Sequence, residues 1–149
     1  MRAATRACMR DARASQRVLI WQVAAQLRSE MATLTRADGI DSDHRLQSHL
    51  EDAADDVGRN IEKALAADHP GEFARFVRLA RSAINDIQSH LRTALMKKRV
   101  AESDARAVRE LLSRLYPALS SLLATANSRS ETPGRSPSNN HLSATSSRT

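Results

Sequence analysis

The chain has 149 residues but only one cysteine, four glycines, four prolines and 3% aromatic residues. Each shortage excludes something. Cys8 by itself can form neither an internal disulfide framework nor a cysteine-based zinc site. So few turn formers and aromatics argue against a β-sandwich or barrel, which needs both. No apolar run approaches the roughly 18 residues of a membrane span. Histidines 44, 49, 69, 90 and 141 form no His-x-x-x-His or His-Glu-x-x-His pattern. There is no Gly-rich phosphate loop and no serine in a nucleophile-elbow setting. The acids between Glu51 and Asp68 spread along one segment without the spacing of a calcium loop, so a solvated or partner-facing surface outweighs a metal site. These gaps lead us to expect a cytoplasmic, non-enzymatic protein that uses no cofactor, no metal and no membrane.

What the chain does have is helical periodicity. Ile20, Ala24, Leu27, Met31 and Leu34 recur at spacings of 4, 3, 4 and 3, the seam of a packed helix, with Trp21 and Val23 widening it. Asp38-Gly39 supplies a stop, through the left-handed conformation open to glycine. A second helix begins at Ser42 or Asp43, either of which can cap free N–H groups, and carries Leu46, Leu50, Ala53, Val57, Ile61 and Ala64. Gly58 inside it costs about 1 kcal/mol relative to alanine. Asp68-His69-Pro70-Gly71 breaks the pattern. A third stripe, Phe73, Phe76, Val77, Ala80, Ile84, Ile87, Leu91 and Ala94, runs to about Arg99. A fourth helix starts near Ser103 or Asp104 and carries Val108, Leu111, Leu112, Leu115, Leu119, Leu122 and Leu123, with a kink or interruption expected at Pro117. The pattern predicts an all-α protein, an antiparallel up-down four-helix bundle over residues 18–126. Residues 1–17 read as a basic arm or helix extension, and 127–149, rich in Ser, Thr, Asn and Pro, as a disordered tail.

Charge is divided along the chain. Residues 38–72 hold ten acids against three bases, and residues 73–114 hold ten bases against four acids. The total is +6, with a pI near 10.6. Such asymmetry can act within one chain, between subunits or toward a polyanion. Arg75, Arg78, Arg81 and Arg92 form a stripe beside the third apolar face, and Lys97, Lys98 and Arg99 close that helix. Together with Arg10, Arg13 and Arg17 these are the candidate nucleic-acid contacts, since guanidinium groups grip phosphates. A bland account stands beside this one. The helix dipole alone favours cations at a C-terminus, and the acidic face of a neighbouring subunit could meet the arginines equally well. The five N-terminal arginines also fit a transit peptide or a solvated terminus. With so few aromatics, any binding of RNA or DNA should be driven by the backbone and be sensitive to salt.

Two stretches carry a family likeness. The first is Val57-Gly58-Arg59-Asn60-Ile61-Glu62-Lys63-Ala64. The second, and closer, is Glu72-Phe73-Ala74-Arg75-Phe76-Val77-Arg78-Leu79-Ala80-Arg81-Ser82-Ala83-Ile84-Asn85-Asp86-Ile87. The region from Leu50 to Leu123 resembles the bacterial four helix bundle protein family, also called the 23S rRNA intervening-sequence family. The accessory variability proteins of diversity-generating retroelements are related to it. Gly58 stands where the family has proline. The resemblance implies a four-helix protomer assembled as a homopentameric ring with basic surfaces. In the retroelement branch it implies a platform for a reverse transcriptase and its RNA. It brings no catalytic residues.

Overall fold

A computed structural model describes residues 2–36, 39–40 and 42–130, with side chains described between residues 13 and 128. Four helices follow in order: α1 (Arg2–Thr35), α2 (His44–Ala66), α3 (Pro70–Met96) and α4 (Glu102–Ser130). There is no strand among the described residues. Close backbone approaches join α1 to α2, α2 to α3, α3 to α4 and α4 back to α1, and the diagonal pairs do not meet. With connections this short, the neighbours run antiparallel around a square, the expected up-down bundle.

The periodic apolar residues make the core. Ile20, Leu27, Met31, Leu50, Ile61, Ile84, Ile87, Leu112, Leu115 and Leu119 are essentially inaccessible to solvent. Burying each such side chain is worth about 1.5–3 kcal/mol. The core stripes were therefore legible, but the aromatics were not. Trp21 is 53% exposed and Val18 and Leu19 are similar, so only Val23 widens the α1 face as expected. Phe73 and Phe76 lie half-buried at the edge of the core instead of within it.

The helix ends follow from local chemistry. Asp43 is the N-cap of α2, its carboxylate accepting the Leu46 N–H at 3.2 Å. α3 opens on Pro70. It stops at Met96, short of the expected Arg99, because Lys98 adopts φ 55. The Arg99 N–H then donates back to the Ala94 carbonyl and the Lys98 N–H to the Leu95 carbonyl, a Schellman closure with lysine in the place glycine usually takes. No glycine among the described residues has positive φ, so Gly39 is not a left-handed stop. It serves by its size: a Cβ there would run into the Arg99 carbonyl, so the α1–α2 and α3–α4 connections touch across the same end of the bundle. α4 runs through Pro117 without a break. Pro117 and Ser113 are both exposed, so the Ser113 carbonyl that lacks an amide donor faces water. α4 also continues through residues 127–130, which the sequence reading assigned to the tail. The rest of that expected tail, 131–149, lies outside the described residues.

Candidate nucleic-acid interface

The basic residues of α3 divide by direction. At about 100° per residue, Arg92 lies about 20° round the helix from Arg81, Arg78 about 60° and Arg75 about 120°. Arg81 sets the direction. Its guanidinium stacks on the Tyr116 ring of α4 at 4.9 Å, and its Nη2 donates to the Tyr116 hydroxyl at 2.9 Å. Arg78, Arg81 and Arg92 therefore line the α3–α4 edge, facing away from the acidic helix α2. That geometry explains why none of these three forms an ion pair with an α2 acid among the described residues.

α4 adds two arginines that the sequence reading did not select. Arg109 lies about 20° from Tyr116 around α4, and Arg106 about 80° from it, directed outward. Arg92 and Arg109 flank a hollow of about 390 Å³ floored by Leu91 and Leu112 and rimmed by Gln88 and Ser113. Their spacing from Tyr116 was visible in the sequence, but the pairing of α4 with this side of α3 was not. Arg109 Nη1 reaches Glu102 Oε2 at 2.8 Å. Arg78, Arg92 and Arg106 are exposed and have no ion pair or hydrogen bond among the described residues. Arg78 to Arg92 spans about 21 Å along the helix at 1.5 Å per residue.

Other predicted contacts lie elsewhere. Arg75 points outward over the Phe76 ring at 5.6 Å, which Lys63 of α2 also approaches at 5.6 Å. The Lys97–Arg99 cluster does not act as one patch. Lys97 Nζ reaches Asp43 Oδ2 at 3.7 Å, and Arg99 Nη1 donates to Ser42 Oγ at 2.7 Å, so both fold over the α1–α2 connection. Only Lys98 between them stands free. Arg13 and Arg17 do not project beyond the core. α1 is continuous from Arg2, and both side chains pack at the bundle end, Arg17 over the Phe73 ring at 5.9 Å. The Arg10 side chain lies outside the described residues.

The opposite edge is matched. Arg28 Nε of α1 pairs with Asp55 Oδ1 of α2 at 3.0 Å, while its stem covers Gly58. The buried Thr35 hydroxyl donates to Glu51 Oε1 at 2.7 Å. No group of three or more His, Cys, Asp or Glu among the described residues is placed to hold a metal ion, and no helix there is long and apolar enough to cross a membrane. The family model of the 23S rRNA-intervening sequence protein matches residues 16–121, which takes in all of α2 and α3 and most of α1 and α4. No curated protein matches the chain.

Proposed function

The chain belongs to the 23S rRNA-intervening sequence protein family, and from that premise we propose that it is a non-enzymatic helical bundle that binds the phosphate backbone of structured RNA along its α3–α4 edge. One observation carries the reading. Arg78, Arg92 and Arg106 are exposed on α3 and α4 and form no ion pair among the described residues, although the chain holds 17 acids. Unpaired guanidinium groups match a polyanion, and each phosphate they neutralise releases condensed counterions. Tyr116 is the aromatic residue at this edge, and Arg81 already covers its ring, so base stacking has no platform there. Binding is therefore independent of sequence and steep in salt. Filter binding of a structured RNA between about 50 and 200 mM salt should give a log–log slope near −3, about 0.9 per arginine. Absence of any interaction at the lowest salt overturns the reading.

A second reading, self-association, is favoured by a different observation. Val18 and Trp21, about 60° apart around α1, are each more than half exposed. Large apolar side chains grouped at a surface mark protein–protein contacts. The acids of α2 and the free arginines lie on different edges of the bundle, and a head-to-tail contact between unlike surfaces closes a ring when the rotation permits. Light scattering that reports a monomer at micromolar concentration removes this reading and leaves the first untouched.

A further inference from the structure

The antiparallel packing of α2 on α3 brings together two histidines that lie far apart in the chain. The rings of His49 and His90 stand 4.8 Å apart, centroid to centroid, with 36° between their planes. His49 is exposed and His90 half-buried, so a solute can reach the pair from the α2–α3 edge. Neither imidazole has a hydrogen bond or ion pair among the described residues, which leaves the nitrogens of both rings uncommitted. Asp52 follows His49 by three residues on α2, and Asp86 precedes His90 by four on α3, so each helix places a carboxylate one turn away. Arg45, four residues before His49, is the neighbouring cation on α2, and Lys97 of α3 is turned to Asp43.

We propose that His49 and His90 form a two-histidine site for a divalent late transition-metal ion such as Ni²⁺ or Zn²⁺. The separation of the rings carries the argument. A metal–nitrogen bond of about 2.0–2.1 Å, extended by the roughly 1.1–1.2 Å from nitrogen to ring centre, puts the ion about 3.2 Å from each centroid. At a nitrogen–metal–nitrogen angle of about 90–110° the centroids then lie about 4.5–5.2 Å apart, and the observed 4.8 Å falls inside that range. Imidazole nitrogen selects these ions over Mg²⁺, which takes oxygen ligands. No third His, Cys, Asp or Glu among the described residues completes a set with the pair, so water fills the remaining positions and the affinity is moderate. The two ligands come from different helices. An ion held by both ties α2 to α3 and favours the folded chain. The site does not depend on the α3–α4 edge.

Titration of the full chain with Ni²⁺ and, in parallel, with Zn²⁺, after dialysis against a chelator, tests this. At about 1 mM and neutral pH, Ni²⁺ should raise the melting temperature by about 3–6 °C, the shift expected for a dissociation constant near 10⁻⁴ M, while Mg²⁺ leaves it unchanged. His49→Gln and His90→Gln should each weaken Ni²⁺ binding by about tenfold or more and remove most of the shift, because one imidazole cannot chelate. His44→Gln and His69→Gln should keep the shift. Helix content and the melting temperature without metal confirm that each variant is folded. Cys8 remains in every variant, so an ion held there, or anywhere else in the chain, shifts all of them alike and overturns the proposal. No Ni²⁺ or Zn²⁺ binding at about 1 mM, or an equal response to Mg²⁺, also overturns it and leaves the two rings merely stacked.

Discussion

The two long edges of this bundle are built from similar helices and behave differently. Between α1 and α2, charged and polar groups find one another: Arg28 meets Asp55, and Thr35 meets Glu51. Between α3 and α4, arginines come from both helices and the acids are few, so Arg78, Arg92 and Arg106 form no ion pair among the described residues and Arg81 turns to an aromatic ring instead. The difference lies in which flank of each core stripe a charged residue occupies. An arginine displaced to the α4 side of α3 cannot reach α2, however acidic α2 is. The α1–α2 edge is thus spent on cohesion, and the α3–α4 edge retains charge for something outside the chain.

The largest expected effect removes that reserve. Arg78→Ala, Arg92→Ala and Arg106→Ala together should lower the salt slope for RNA by about 3 and cut affinity about 10²- to 10³-fold at 100 mM salt, while Asp55→Asn on the matched edge leaves the slope where it was. Anisotropy titrations in a salt series decide between the edges. Next comes the internal contact of the α3–α4 edge. Tyr116→Phe deprives the Arg81 guanidinium of its acceptor, and its Nε is already buried without a partner, so about 1 kcal/mol of stability should go, read as a fall in the denaturant midpoint. A smaller change in the opposite direction belongs to the matched edge. An alanine Cβ at Gly58 would meet only Arg28 side-chain atoms, at 3.6 Å or more, so Gly58→Ala should stabilise α2 by about 0.5–1 kcal/mol in the same assay. The smallest effect is expected for Arg28→Ala. Its ion pair is half exposed, so the loss should stay under about 1 kcal/mol and shrink further in high salt. A larger loss would mean that the stem lying over Gly58 matters more than the charge.

Most of the bundle was legible in the apolar spacing. The seams from Ile20 to Leu34, Leu46 to Ala64, Val77 to Ala94 and Val108 to Leu123 are the buried faces. The errors have local causes. Phe73 and Phe76 continue the numerical pattern, but their rings rest at the margin under cations, because an aromatic face attracts Arg17, Lys63 and Arg75. The Lys97–Arg99 run looked like one patch. The left-handed turn at Lys98 points its neighbours to Asp43 and Ser42 and breaks the patch apart.

The sequence alone determined that there are four helices, where their greasy faces lie and that charge is unevenly shared, because periodicity and composition are properties of each helix by itself. It could not determine that Arg109 stands beside Arg92, or that Arg13 and Arg17 meet Phe73 and Leu122 around a cavity. Those juxtapositions depend on which helices become neighbours and at what rotation. Only the packing of the whole core fixes that choice, because each helix has just one face it must bury and the flanks fall wherever that burial leaves them.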